Sequence, residues 1–205
     1  MSPHVQRAAA ATLAILAGGE GRRMGGPKGE LRIEGKPILG YLLDRFRWDG
    51  PTLLVTAPGR ERPAGCERFG REVTDPVAGE GPLRGVLTAL AAVETEMLVV
   101  TTCDMPRVGA RQLAWLTDEL SRRPDAPLVM LSRDSQLEPF PLGIRSSAIA
   151  IVTTHYARGA RGMRSLATLE GAAVITAPDD WPAEAWTNLN TPADLAAFED
   201  GAGSG

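Results

Sequence analysis

Residues Leu13 to Leu31 read L-A-I-L-A-G-G-E-G-R-R-M-G-G-P-K-G-E-L. The first five residues are apolar and predict a buried strand. The loop that follows has glycines at positions 18, 19, 21, 25 and 26 and the cations Arg22, Arg23 and Lys28. Glycines let backbone N–H groups approach a ligand closely, and arginine and lysine neutralise phosphate charge. The stretch therefore indicates a loop that binds a nucleoside triphosphate, and a plain surface turn is the alternative.

Two common phosphate-binding loops do not fit this stretch. A P-loop requires G-x-x-x-x-G-K-[ST], whereas Lys28 lies between Pro27 and Gly29. A dinucleotide fingerprint requires G-x-G-x-x-G, and Met24 stands where its third glycine belongs. The loop is expected to belong to a different class of nucleotide-binding protein.

Composition limits the partners that the chain is expected to have. A net charge of −3 gives no overall basic field for nucleic acid. No apolar run approaches the length of a membrane span, so no membrane association is expected. Cys66 and Cys103 lack the spacing of a metal site, which indicates a reducing compartment and a cytoplasmic location.

The length of 205 residues and a hydrophobic content of 43% suit one α/β domain with a substantial core. We expect a flexible N-terminus over residues 1–10, where no signal-peptide pattern is found, the domain over 11–200, and a flexible tail over 201–205. Apolar runs alternate with helical patterns, which predicts a single Rossmann-like domain with a mostly parallel sheet and helices on both faces. The predicted strands are residues 12–17, 52–56, 72–74, 97–102, 128–131, 140–144 and 173–176. The predicted helices are residues 37–47, 82–93, 110–122, 146–156, 162–169 and 192–198.

Two carboxylates follow predicted strands, at the sheet edge where such folds bind ligands. Asp104 comes shortly after the apolar strand 97–102. It suits Mg²⁺, which takes one or two carboxylates together with phosphate oxygens, and a turn-forming aspartate before Pro106 is the alternative. Asp75 follows the run 72–74 and precedes a glycine turn into a helix, and an Asp-Pro turn is the alternative there.

The pattern L-A-G-G-x-x-x-R-M-G-x-x-K resembles the signature loop of the molybdenum cofactor guanylyltransferases, which belong to the nucleotidyltransferase superfamily. The matching residues are Leu16, Ala17, Gly18, Gly19, Arg23, Met24, Gly25 and Lys28. The resemblance implies that the loop surrounds the base and phosphates of GTP, with Lys28 on the phosphates. The doublet Gly18-Gly19 resembles guanylyl transfer more than cytidylyl transfer, where A-A-G is usual.

Three further segments carry the same resemblance. C-D-M-P at 103–106 is similar to the family's metal-binding motif, which implies that Asp104 is the metal ligand. Asp75 before G-P-L-R-G at 81–85 is similar to the family's nucleotide-holding acid, although Arg84 replaces a small residue. Thr56 stands where the family commonly has an asparagine that contacts the guanosine.

The segment from Asn188 to Leu195 resembles the family's C-terminal signature N-x-N-T-P-x-D-L, which approaches the pterin phosphate and the metal. Asn188 and Asn190 are two residues apart, so on an extended segment their side chains point the same way. A helix-entry turn is the alternative. A small basic cluster precedes this segment and consists of Arg158, Arg161 and Arg164. Either it meets the pterin phosphate or it forms a solvated helix face. Residues 138–145 match the family's P-L-x-x-L-Y-R strand only loosely, with Ile144 in the tyrosine position.

The resemblance implies a Mg²⁺-dependent transfer of GMP from GTP to the phosphate of molybdopterin, which yields the guanine dinucleotide cofactor and pyrophosphate. It assigns catalysis to Arg23, Lys28 and Asp104. It assigns ligand binding to Leu16, Ala17, Gly18, Gly19, Lys28, Thr56, Asp75, Asp104, Asn188 and Asn190. The use of CTP, a sugar-phosphate acceptor and a non-catalytic nucleotide sensor remain as alternatives. A transient contact with cofactor-delivery or acceptor proteins also stays open.

Overall fold

The apolar run before the glycine-rich loop forms β1 (Ala11–Leu16), the middle strand of the parallel half of the sheet. A computed structural model of the chain describes residues 11–202. The predicted flexible N-terminus at 1–10 and positions 203–205 of the predicted tail lie outside the described residues. The other strands are β2 (Arg32–Ile33), β3 (Lys36–Pro37), β4 (Thr52–Thr56), β5 (Arg71–Thr74), β6 (Met97–Thr102), β7 (Leu128–Arg133), β8 (Gln136–Arg145) and β9 (Ala173–Thr176). The α-helices are α1 (Ile38–Phe46), α2 (Pro82–Ala92), α3 (Ala110–Ser121), α4 (Ile149–Ala157) and α5 (Pro192–Ala202).

Seven of these strands form one sheet in the order β5-β4-β1-β6-β8-β7-β9. Strand β1 pairs in parallel with both β4 and β6, and β4 pairs in parallel with β5. Strand β8 runs antiparallel to its neighbours β6 and β7, and β9 is parallel to β7. The carboxyl ends of β5, β4, β1 and β6 therefore meet at one edge of the sheet.

The helices pack on the sheet as two groups. Helices α1 and α3 contact each other, and α2 and α4 contact each other. Leu13 and Ile15 of β1 are completely buried in the core between these layers, because a parallel strand covered on both faces has no exposed side. The prediction of a single Rossmann-like α/β domain with a mostly parallel sheet is confirmed.

Several elements differ in type or length from the prediction. The predicted helix at 162–169 is a 3₁₀ helix (Met163–Thr168). The hydroxyls of Ser165 and Thr168 donate to carbonyls three residues earlier, and such bonds compete with regular α-helical turns. The predicted helix at 192–198 continues to Ala202, so positions 201 and 202 of the predicted tail belong to α5.

Strand β8 begins four residues before the predicted start at 140, because its first part forms a hairpin with β7. Arg133 pairs with Gln136 in this hairpin, and the two turn residues Asp134 and Ser135 have positive φ angles of 50° and 62°. The short hairpin of β2 and β3, which the sequence analysis did not predict, follows the glycine-rich loop. The side chain of Glu199 in α5 accepts a hydrogen bond from the backbone N–H of Glu34 in the turn of this hairpin at 3.1 Å.

Candidate active site

A cleft of about 610 Å³ lies where β1, β4, β5 and β6 end. Seven of the predicted ligand-binding residues line it: Leu16, Gly18, Gly19, Lys28, Asp75, Asp104 and Asn188. The topology explains this convergence, since strands that are parallel and adjacent deliver the segments after them to one crevice. The cleft therefore joins the glycine-rich loop to both predicted carboxylates.

The glycine-rich loop is closed by its own backbone. The N–H of Met24 donates to the carbonyl of Gly21 at 2.7 Å, and the N–H of Lys28 donates to the carbonyl of Gly19 at 3.4 Å. Gly21 has a φ of +58°, and a Cβ atom there would lie 1.9 Å from the carbonyl oxygen of Gly26. Only glycine fits at position 21, so the compact turn of the loop depends on it.

Lys28 and Asp104 form an ion pair inside the cleft. Their side chains are only 17% and 15% exposed. The Nζ of Lys28 also donates to Oδ1 of Asn190 at 2.7 Å, and the hydroxyl of Thr102 donates to the other carboxylate oxygen of Asp104. Three distant segments of the chain thus converge on one ammonium group, and we call Lys28, Asp104 and Asn190 the charged centre.

The asparagine segment is fastened to the end of β6 and to the start of α5. The N–H of Leu189 donates to the carbonyl of Asp104 at 2.8 Å. The carboxylate of Asp194 accepts the N–H groups of Asn190 and Thr191, each at 2.8 Å. These N–H donors, with Asn190 the largest contributor, lower the pKa of Asp194. Asp194, the aspartate of the N-x-N-T-P-x-D-L segment, is thus a residue that holds the backbone of Asn190 in place.

Asp75 follows β5 and lies in a different electrostatic environment. Its N–H donates to the carbonyl of Thr56 at 2.9 Å, which fixes its backbone. Burial raises the pKa of Asp75, against the opposing influence of Thr88 and Arg84. Among the described residues, the buried atoms Asp75 Oδ1, Arg84 Nε and Thr88 Oγ1 form no well-aligned hydrogen bond, although Thr88 lies beside Asp75 and Arg84 Nε lies 4.0 Å from Oε2 of Glu80. We call Asp75, Arg84 and Thr88 the unpaired wall.

Three predicted ligand-binding residues do not line the cleft, namely Asn190, which contacts Lys28, and the residues Thr56 and Ala17. Thr56 is 9% exposed, and its hydroxyl lies 3.1 Å from that of Thr74 within the sheet. Ala17 is buried, and its N–H donates to the carbonyl of Val55 at 2.8 Å. The side chain of Thr56 is occupied by the neighbouring strand because β4 and β5 pair in parallel up to this residue.

Arg23 does not line the cleft either, although the sequence resemblance assigned it to catalysis. Its side chain is exposed, and its charge helps to lower the pKa of Asp194. Arg22 lines the cleft instead and forms an ion pair with Glu20. The two arginines are adjacent in an irregular loop, where no periodicity tells from sequence which of them faces the ligand.

Two arginines of the predicted basic cluster donate to backbone carbonyls outside the cleft. Arg161 donates to the carbonyls of Tyr156 and Ala160, each at 2.8 Å, and Arg164 donates to that of Leu137 at 3.0 Å. The residues of this cluster are exposed and do not line the cleft.

In the loosely matching strand, Ile144 is completely buried, and Arg145 is a structural residue. Arg145 pairs with Glu96 at 2.7 Å and donates to the carbonyls of Leu120, Arg123 and Ala126. Neither Ile144 nor Arg145 lines the cleft.

Sequence reasoning missed a contact that supports the segment between β5 and α2. Val77 and Glu80 of this segment line the cleft. The hydroxyl of Tyr156 donates to Oε2 of Glu80 at 2.6 Å, and the guanidinium of Arg161 lies 4.1 Å from the centroid of the Tyr156 ring. The hydrogen bond to Glu80 is the main reason that the pKa of Tyr156 is raised. The glycine turn around Glu80 gave a signal in the sequence, but Tyr156 gave none.

A metal at this cleft would depend on Asp104. Residues 11–202 contain no group of three or more His, Cys, Asp and Glu side chains that could enclose a metal ion. Magnesium is usually held by one or two carboxylates, with substrate phosphates and water completing its shell, and a carboxylate has about four lone-pair positions. Asp104 uses one position for Thr102 and one for Lys28, so the donor set fits a metal that arrives with a triphosphate.

No helix within the described part of the chain is both long enough and apolar enough to cross a membrane.

Residues 13–174 match the family described as the MobA-like NTP transferase domain. A molybdenum cofactor guanylyltransferase of Shewanella halifaxensis is 31% identical over 184 residues, which cover 87% of this chain and 88% of that protein. The crystal structure of molybdopterin-guanine dinucleotide biosynthesis protein A from Archaeoglobus fulgidus is similar, with a TM-score of 0.75 and 25% identity, over 95% of this chain and all of that one. The fold is shared with 2-C-methyl-D-erythritol 4-phosphate cytidylyltransferase from Thermus thermophilus, at a TM-score of 0.67 and 20% identity, over 94% of this chain and 98% of that one.

Proposed function

The chain belongs to the family of MobA-like NTP transferase domains, and we propose that it transfers GMP from GTP to the phosphate of molybdopterin with the help of Mg²⁺. An oxygen of the acceptor phosphate attacks the α-phosphorus of GTP. The bond from that phosphorus to the bridging oxygen of the β-phosphate breaks, and pyrophosphate leaves. The products are pyrophosphate and the guanine dinucleotide form of the cofactor.

The observation that carries this proposal is the charged centre. It joins the glycine-rich loop, through Lys28, to the end of β6, through Asp104, and to the asparagine segment, through Asn190. Nucleotidyl transfer needs a cation, a carboxylate for a metal and an amide close together, because two anionic phosphates must be held in a defined relative position. Transfer of this kind depends on positioning and charge neutralisation and needs no protein nucleophile.

Lys28 has the central role in this scheme. Its ammonium group has three N–H donors and uses two of them on Asp104 and Asn190. An incoming triphosphate competes with Asp104 for the ammonium group, so phosphate binding would open the ion pair. Lys28 then neutralises the phosphates, while the carboxylate becomes available for a second cation.

Asp104 would hold Mg²⁺, with the triphosphate supplying further oxygen ligands. When bound there, Mg²⁺ would act as a Lewis acid that withdraws charge from the phosphate oxygens. Asn188 lines the same cleft, where its amide Nδ2 donates to the carbonyl of Trp186 at 3.2 Å, and its side chain would lie near the acceptor. Asp194 contributes indirectly, because it fixes the backbone of Asn190.

The test is a product assay with purified protein, molybdopterin that carries its metal, Mg²⁺ and each of GTP, CTP, ATP and UTP. We expect a guanine dinucleotide product with GTP, and pyrophosphate in equal amount only when the acceptor is present. A larger product yield with CTP would replace guanylyl transfer by cytidylyl transfer. If no triphosphate yields pyrophosphate although one of them binds, the chain is a nucleotide sensor.

A further inference from the structure

The glycine-rich loop is held from outside by an arginine that no motif includes. Arg60 lies in the segment after β4, and its Nη1 donates to the carbonyl of Gly19 at 3.0 Å, across 41 residues of sequence. The segments after β1 and β4 stay close beyond the ends of the strands. A Cβ atom on Gly18 would lie 3.4 Å from the Cβ of Ala57. This proximity lets Arg60 reach back to the loop.

The carbonyl of Gly19 accepts two hydrogen bonds, from Arg60 and from the backbone N–H of Lys28. In a planar trans peptide the C=O and the next N–H point in opposite directions. The N–H of Glu20 therefore points away from the Arg60 guanidinium. Gly19, Glu20 and Gly21 line the cleft and Arg60 does not, which is the arrangement expected when the carbonyl of Gly19 points away from the cleft and the N–H of Glu20 points toward it.

We propose that Arg60 is a positioning residue for nucleotide binding. It fixes the peptide between Gly19 and Glu20 so that the N–H of Glu20 is available to a phosphate oxygen, and it acts through Gly19 without touching the ligand. Without this contact the peptide can rotate, and a rotated peptide would turn a carbonyl oxygen toward the phosphates. The inference rests on the proposed use of the cleft for a nucleoside triphosphate.

The chain offers a matched control for the charge of Arg60. Arg62 lies two residues further on, and its Nε donates to Oε2 of Glu72 at 2.9 Å. Arg62→Ala removes the same charge from the same segment and does not alter the contact with Gly19. A purely electrostatic contribution of Arg60 would be screened by salt, because the Debye length falls to about 3 Å at 1 M. A fixed hydrogen bond would keep most of its effect.

The experiment measures the binding of GTP with Mg²⁺ by calorimetry, and the steady-state rate, for the wild type and for Arg60→Ala, Arg60→Lys and Arg62→Ala. We expect Arg60→Ala to raise Kd and KM for GTP about tenfold, as for the loss of one hydrogen bond from a charged donor. The kcat should stay within about twofold, because the charged centre is intact and only binding is affected. Arg60→Lys should recover part of the affinity, and Arg62→Ala should bind within about twofold of the wild type.

Several outcomes would overturn the inference. These are wild-type affinity in Arg60→Ala, equal losses in Arg60→Ala and Arg62→Ala, or an Arg60→Ala effect that disappears at 1 M salt. Melting curves of the free proteins identify a variant that fails to fold. If Arg60→Ala fails to fold, Arg60→Lys replaces it, and we expect Arg60→Lys to lose affinity for GTP at an unchanged melting temperature. If the wild type binds CTP in place of GTP, the proposed donor is wrong, but the same ratios with CTP still support the role of Arg60. If the wild type binds no triphosphate, both proposals fail.

Discussion

In the charged centre Asp104 and Asn190 both bond to Lys28, whereas Asp75 in the cleft lining and its neighbours Arg84 and Thr88 keep buried atoms without a well-aligned hydrogen bond. The charged centre is satisfied in the free protein, so a ligand must exchange its contacts. The unpaired wall is not satisfied, and each buried polar atom without a partner costs about 1–3 kcal/mol unless water or a ligand reaches it.

This difference predicts how stability and function respond to substitution. In the charged centre, the loss of either charge leaves the other unpaired and only slightly exposed, so stability and activity should fall together. At the unpaired wall, the loss of the half-buried Asp75 carboxylate removes a cost from the free protein but also the group that the sequence resemblance assigns to nucleotide binding. Stability and binding should therefore change in opposite directions, as is common for groups kept for function.

Asp104→Ala should have the largest effect. It removes the proposed magnesium ligand and the partner of Lys28, so turnover and Mg²⁺-dependent triphosphate binding should be lost while the fold is kept. The unpaired Lys28 should lower the free energy of unfolding by about 1–3 kcal/mol, since the side chain is mostly buried. Activity assays over a Mg²⁺ titration and thermal melts measure both effects. Near-wild-type rates at limiting Mg²⁺ would show that Asp104 only forms a turn.

Lys28→Ala should come second, with turnover reduced about 10²-fold, as expected when one cation that stabilises the developing phosphate charge is lost at a cost of about 2–4 kcal/mol. The melting temperature should also fall, because Asp104 and Asn190 lose their shared donor. The matched control is Lys36→Ala, which removes a lysine from the exposed hairpin and should leave both quantities unchanged. Wild-type turnover in Lys28→Ala would remove the glycine-rich loop from the mechanism.

Asp75→Asn should weaken GTP binding about tenfold and at the same time stabilise the free protein at neutral pH. Burial raises the pKa of Asp75 above its ordinary value of 3.8, so the folded state holds this proton more tightly than the unfolded state. The protonated Asp75 makes its full contribution to the free energy of unfolding below pH 3.8, and this contribution is lost as the pH rises through the raised pKa. Asparagine does not ionise and avoids this loss. Melts at several pH values and calorimetry with GTP provide the two measurements.

The control for Asp75→Asn is Asp44→Asn. The hydrogen bond from Arg68 holds the pKa of Asp44 below its ordinary value, so stability from this exposed group is present at neutral pH and lost as the pH falls through the lowered pKa. Asp44→Asn should therefore lower stability slightly at neutral pH and leave GTP binding unchanged. If Asp75→Asn lowers the melting temperature at neutral pH in the same way, the charged centre and the unpaired wall do not differ as described.

Most of the sheet could be predicted from sequence because its central strands are buried runs of mainly apolar residues. The predicted bounds of β4, β6 and β9 are those observed. The sequence could not predict the short hairpin of β2 and β3, which has too few residues for a periodic pattern, or the 3₁₀ form of Met163–Thr168, which depends on local hydroxyl bonds.

The members of the charged centre could be predicted, because Lys28, Asp104 and Asn190 each lie in a recognisable motif. Their proximity could be predicted because parallel strands end at one edge of the sheet. The unpaired wall could not, because its property is the lack of a contact in three dimensions. The same limit applies to Arg60, whose carbonyl partner lies on another loop. Single motifs identify residues that meet at the cleft, whereas the residues that hold them in place come from any part of the chain.

Thr56→Asn should have the smallest effect on GTP binding, because Thr56 lies next to the unpaired wall but is not part of it. The hydroxyl of Thr56 is shared with Thr74, and its carbonyl accepts the N–H of Asp75, so the residue supports Asp75 from behind without lining the cleft. Asparagine restores the residue that the family commonly has, but its amide would meet the neighbouring strand first. We expect GTP affinity to be unchanged or improved by at most about twofold, with a stability loss of about 1 kcal/mol or less from the lower β propensity of asparagine. A loss of affinity comparable to that of Asp75→Asn in the same calorimetric assay would place position 56 in the base site. In that case Thr56, which is buried and hydrogen-bonded in the free protein, would matter for nucleotide binding as much as Asp75. The lack of a hydrogen-bond partner in the free protein would then no longer distinguish residues that bind the ligand from residues that support them.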